Sequence, residues 1–179
     1  MDLVEARDLG WMFLHRDPQR WAHVAGVAAR ADELRPAVDP EDGDLLVAAA
    51  WLHDIGCSAV LVETGFHPLD GAVYLESTGH RRLAELVAHH SGSRFVADVL
   101  GLGNRLARYP FTEDALTDAL TCADQTVGAK GERLTVGERL ADTADRHGPD
   151  APKTRARHLR EPCALAAADR VEQRLRAAG

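Results

Sequence analysis

Ala48-Ala49-Ala50-Trp51-Leu52-His53-Asp54-Ile55-Gly56 is an apolar run that ends in an imidazole and a carboxylate. The run before the dyad reads as a buried helix. A charged pair at the end of such a helix needs a partner, because unpaired charge is costly to bury. Consecutive His and Asp can both reach one divalent cation. Gly56 fits a helix C-terminus, whose free carbonyls and dipole favour positive charge.

Outward from this run, the period is helical throughout. A first helix is predicted from Asp2 to His15. Asp17-Pro18 reads as an N-cap with proline at the first helical position, opening a second helix that ends before Pro36. A third runs from about Glu41 to Asp54, and a turn-rich segment follows to Gly65. His67-Pro68 opens a fourth helix, broken at Ser77-Thr78-Gly79. A fifth runs from about His80 to His90, stopping at Ser91-Gly92. A short helix is predicted over Phe95 to Leu100. Thr112 caps the next, which reaches Val127. Gly128-Ala129-Lys130-Gly131 is a loop. Helices over Val136 to Arg146 and Cys163 to Arg176 complete the set, with a proline-interrupted joint from Gly148 to Pro162. Nothing reads as a strand, so the fold class is all-α.

The 179 residues suit one domain spanning 1–179. Its core is expected at residues 18–127, with an N-terminal helix over 2–15 and a C-terminal helical extension over 132–176. The net charge of −7, from 21 basic and 28 acidic residues, disfavours general nucleic-acid binding, which rests on neutralising phosphates. No apolar run is long enough to span a membrane. The acidic start, Met1 to Glu5, lacks a basic-then-apolar signal pattern, so a cytoplasmic location is expected. Cys57, Cys122 and Cys163 are few, odd in number and widely spaced. They support neither a disulfide framework nor a thiolate zinc site.

Other polar residues share the inward faces. His23 lies on one helical face with Val27, Ala31 and Leu34. His90 follows Leu83, Leu86 and Val87 at helical spacing, whereas His89 follows Arg82 and Glu85 and looks lateral. Asp124 follows Leu116 and Leu120 and precedes Val127. His67 stands at a helix start. Burying so many titratable groups is unfavourable unless something satisfies them together. One or two divalent cations would do so.

The order His23, His53-Asp54, Asp124, each on its own helix, resembles the HD-domain superfamily of metal-dependent phosphohydrolases. The flanks agree: Trp21-Ala22-His23-Val24-Ala25-Gly26-Val27, Ala50 to Gly56, and Cys122-Ala123-Asp124. Phe66-His67-Pro68-Leu69-Asp70-Gly71-Ala72 and Val87-Ala88-His89-His90-Ser91-Gly92 look like the extra histidine segments of dinuclear members. The closest look is to bacterial hydrolases of diadenosine tetraphosphate.

The resemblance implies an HD-domain helical bundle. It implies one metal on His23, His53, Asp54 and Asp124, and a second on Asp54, His67 and His90, with His89 in reserve. His53 and Asp54 would be the catalytic pair. The cofactor would be one or two divalent transition-metal ions: Fe, Mn, Co, Ni or Zn. A metal-bound hydroxide would attack a small phosphate ester or nucleotide. Arg94 and Lys130 are the expected substrate-phosphate groups, ahead of Arg20 and Arg133. Glu63 is misplaced for the acidic pair of guanosine tetraphosphate hydrolases. Two alternatives share the ligand set: an HD-type dinuclear iron oxygenase and a metal-stabilised, non-catalytic binding module.

Overall fold

Asp2 opens helix α1 (Leu3–Leu14) with a capping box: its carboxylate accepts from the Glu5 amide, and Glu5 accepts from the Asp2 amide, both at 2.8 Å. Asp17 caps α2 (Pro18–Glu33) by accepting from the Arg20 amide at 2.9 Å, with Pro18 at the first position as the sequence predicts. The other α-helices are α3 (Gly43–Leu52), α4 (His67–Ser77), α5 (Arg81–His89), α6 (Ser93–Val99), α7 (Gly103–Leu106), α8 (Ala115–Gln125), α9 (Val136–His147), α10 (Pro152–Arg155) and α11 (Arg157–Ala178). This computed structural model describes residues 1–179, the side chains of Ala144 and His147 excepted. Among the described residues there is no strand, only an isolated antiparallel bridge between Val127 and Arg133. The architecture is an all-α helical bundle.

Helix α3 is the axis of the bundle. Leu46, Val47, Ala48, Ala49, Ala50 and Leu52 are all buried, so it shows no polar stripe to solvent. Helices α1, α2, α5 and α8 pack around it. Its alanines let these neighbours come close, and its C-terminal end delivers His53 and Asp54 to the middle of the molecule. Helix α4 packs on α5, and α11 covers α8. Asp118 of α8, buried, pairs with Arg170 at 2.5 Å and Arg174 at 2.9 Å, tying α11 down. No helix is long and apolar enough to cross a membrane.

Several predicted boundaries move. The third helix is shorter than residues 41–54, because 3-10 turns form before it at Pro40–Asp42 and after it at Ile55–Cys57. Gly56 is therefore inside a turn and not a helix cap. Its role is close approach: a Cβ there would lie 2.1 Å from the His67 carbonyl oxygen and 2.6 Å from the Gly71 nitrogen. The start of α4 lies directly on the residues that follow Asp54. Asp114, not Thr112, caps α8, in a reciprocal box with Thr117. Helix α7 was not foreseen. Pro162 does not end the joint before the last helix but sits inside α11, which starts at Arg157. Proline there removes one amide donor near the helix start. Burial of Ala164, Ala167 and Val171 holds the helix through it.

Candidate metal centre

Four histidines converge below the end of α3. His23 comes from α2, His53 from the residue after α3, His67 from the first position of α4, and His90 from the turn after α5. Three of them are fixed in the same way. The Nδ1–H groups donate to backbone carbonyls: His23 to Gly128 at 3.0 Å, His53 to Ala50 at 2.7 Å, His90 to Val87 at 2.7 Å. A carbonyl can only accept, so Nδ1 carries the proton and Nε2 keeps its lone pair. Tying down one imidazole nitrogen in this way is what orients the other toward a metal.

The free nitrogens meet two buried carboxylates. His23 Nε2 is 3.1 Å from Asp124 Oδ1 and 4.0 Å from Asp54 Oδ2. His53 Nε2 is 3.5 Å from Asp54 Oδ2 and 4.0 Å from Asp124 Oδ1. His67 Nε2 is 3.0 Å from Asp54 Oδ1. The His53 and His90 rings stand 5.2 Å apart, and those of His67 and His90 5.4 Å. His23, His53 and Asp54 offer donor atoms within 4.8 Å of one another; so do Asp54, His67 and His90. Asp54 belongs to both triads.

The residues fit a metal by their own chemistry. His53 Nε2 is buried and has no hydrogen-bond partner among the described residues. Such an orphan is unfavourable unless something accepts its lone pair. Around Asp54, burial opposes ionisation, but His53, Arg20 and His67 outweigh it and hold the carboxyl well below the usual range. Asp124 behaves likewise: burial is outweighed by the neighbouring His23, His53 and Arg139. Burial, with His53 and His67 alongside, pushes His90 down to about 3. A neutral imidazole and an ionised carboxylate are the forms in which these groups bind cations.

Supporting contacts surround the cluster. Ser91 Oγ makes a short hydrogen bond to Asp124 Oδ2, which also accepts from Gln125 Nε2 at 2.9 Å. Arg20 reaches Asp54 Oδ2 at 2.5 Å. The loop Gly128–Gly131, which supplies the carbonyl for His23, lies against α2. A Cβ on Gly131 would meet the Ala22 carbonyl at 2.6 Å, and one on Gly26 would meet Gly131 at 2.9 Å. Asp70 accepts from the Thr64 amide and hydroxyl and the Gly65 amide, fixing the approach to His67.

His23, His53, Asp54, His67, His90 and Asp124 all come together. His89 does not: its Nε2 donates to the Tyr109 carbonyl at 2.8 Å, and its ring faces Phe111. The structure also keeps Arg94 and Lys130 out of the cleft that holds the cluster. The Arg94 guanidinium lies over the rings of Phe111 and Phe95, at 4.0 and 4.6 Å, and the Lys130 amide donates to Glu132. Arg133 pairs with Glu33 on the surface. Cys57 is buried enough to push its thiol up to about 12, which makes it inert. The cationic lining comes instead from Arg20, Arg139, Lys153 and Arg160. Sequence reading missed the last three because they lie in the extension. Their one signal was that Lys153 is one of only two lysines.

No curated protein and no solved structure matches the chain. Residues 20–150 match the HD domain family. That match covers most of the chain, including five of the helices around the centre and every one of the six converging His and Asp side chains. The chain belongs to the HD domain family.

Proposed function

We propose that this chain is a metal-dependent phosphohydrolase that holds two divalent ions and acts on a small phosphate ester or nucleotide. The observation that carries the reading is the shared Asp54 between two three-residue donor sets, with the histidines fixed through Nδ1. His23, His53, Asp54 and Asp124 would hold one ion, and Asp54, His67 and His90 the other. Bound divalent ions polarise phosphoryl oxygens and acidify water, which is the chemistry that phosphate-ester hydrolysis requires.

The protein's own groups do the rest. Ser91 and Gln125 hold Asp124 in place. Arg20 neutralises Asp54 and stands at the cleft wall, where it can meet a phosphoryl oxygen once Asp54 turns to a cation. Arg139 and Thr143 of α9, Lys153 of α10 and Arg160 of α11 line the cleft and restrict solvent, which strengthens every charge interaction inside.

The test combines metal analysis with phosphate release. Protein purified without added metal or chelator is expected to carry about two transition-metal ions per chain and to release phosphate from a panel of esters and nucleotides without oxygen. Asp54→Ala should fall below one ion and lose at least about a hundredfold in rate. His67→Ala and His90→Ala should each keep about one. Full metal content in both single variants would defeat the two-ion reading. Oxygen uptake without phosphate release would defeat the hydrolase reading.

A further inference from the structure

The C-terminal helices bring charge to the cleft that the metal centre does not use. The cleft is lined by four cations, Arg20, Arg139, Lys153 and Arg160, against two carboxylates, Asp54 and Asp124. That is an excess of two positive charges before any metal binds. Arg20 is committed to Asp54. Arg139 is divided between Asp124 at 3.8 Å and Asp142 at 3.3 Å, and its buried Nε has no partner among the described residues. Lys153 and Arg160 have no carboxylate within 4.0 Å among the described residues. Arg160 makes one side-chain hydrogen bond, to the Ser91 carbonyl at 3.3 Å. Lys153 and Arg160 lie beyond the residues matched by the family, 20–150.

Cations withdrawn from water without counter-charges are unfavourable. Burial lowers the pKa of Lys153 and of Arg160, with Asp54 and Asp124 respectively only partly opposing it. An anion entering the cleft removes that cost. A phosphomonoester brings at most about two negative charges. It cannot balance the cleft's own surplus together with two divalent ions. A chain of linked phosphoryl groups brings more. Apart from the histidines, Phe66 is the one aromatic side chain of the cleft, so no pair of rings is available to sandwich a base.

We infer that Lys153 and Arg160, on α10 and α11, form an oligophosphate subsite, which binds the phosphoryl groups next to the one held at the His–Asp cluster. What Lys153 and Arg160 recognise is then the phosphate chain itself. This deepens the phosphohydrolase reading and rests on it for the position of the reacting phosphoryl group. The chain can belong to a free inorganic oligophosphate or to a nucleotide.

The test uses manganese-loaded, full-length protein and three probes that resist hydrolysis: imidodiphosphate, the β,γ-imido analogue of ATP, and phenylphosphonate, which has one phosphorus. Binding is measured by calorimetry. Phosphate release from tripolyphosphate, ATP and phenyl phosphate is measured separately. Wild type is expected to bind both imido compounds at least about tenfold tighter than phenylphosphonate, in keeping with one added charge-assisted contact. Lys153→Gln should lose about tenfold on both and no more than about twofold on phenylphosphonate, with unchanged metal content; Lys153→Arg should restore most of the loss. Preference for only the nucleotide analogue, with Lys153 dependence, places the chain on a nucleotide and supports the subsite. Equal affinity for all three probes, or no loss in Lys153→Gln, overturns it. Lys153-dependent oligophosphate binding without any phosphate release supports the subsite and sinks the hydrolase reading. Phosphate release with no Lys153-dependent preference does the reverse.

Discussion

Ser91 shows how single residues hold the centre in place. It is the only non-glycine residue with positive φ among the described residues, at 53°. The left-handed turn, continued by Gly92 at φ 70°, reverses the chain after His90 and aims the Ser91 hydroxyl back at Asp124. Such a conformation costs a non-glycine residue free energy and persists where the surroundings enforce it. Ser91→Gly keeps the turn and removes the hydroxymethyl side chain. It should therefore leave the thermal midpoint nearly unchanged and weaken metal affinity by about tenfold, the usual effect of losing a group that orients a ligand. A metal titration of the variant checks this. An unchanged affinity would mean that Gln125 alone positions Asp124.

Among the elements, α4 and the 3-10 turn that follows α3 set the geometry between the two donor sets. Their contact is the backbone of Gly56 against the start of α4, at distances that leave no room for a methyl group. Gly56→Ala must push the first turn of α4 outward and carry His67 away from Asp54. The expected outcome is a folded protein destabilised by about 1–3 kcal/mol that retains about one metal ion per chain. Denaturant unfolding and metal analysis of the same sample give both numbers. Two retained ions would show that the contact does not set the His67 position. The capping residues Asp2, Asp17 and Asp114 work at the same scale: each gives its helix a defined start, so the side chains further along point where they do.

For the whole molecule, two buried carboxylates and four inward histidines make the bundle dependent on what binds between them. A ligand that binds only the folded state adds about 2.7 kcal/mol at a hundred times its dissociation constant. In a chain of this size that corresponds to about 5–10 °C in thermal midpoint. Stripping metal with a chelator should lower the midpoint by about that amount, and adding manganese back should restore it. A midpoint indifferent to chelation would mean that Arg20 and the histidines satisfy the carboxylates unaided. Much of this was legible from residue order. Helical period, the cap at Asp17, and the inward faces of His23, His90 and Asp124 are local patterns, and local sequence decides local backbone. The alanine-rich run to Asp54 was also legible as buried, since a helix without a polar stripe has nowhere else to go. Three features were not legible: Gly56 as a contact surface, His89 turned toward Tyr109, and a cationic wall made of Lys153 and Arg160 in place of Arg94 and Lys130. Each depends on which element lies opposite, and that is settled by packing between residues far apart in the chain. The sequence by itself determined the all-α class and the six His and Asp side chains that converge. Only the tertiary structure decided which cations face that set, because charge acts across space and not along the chain.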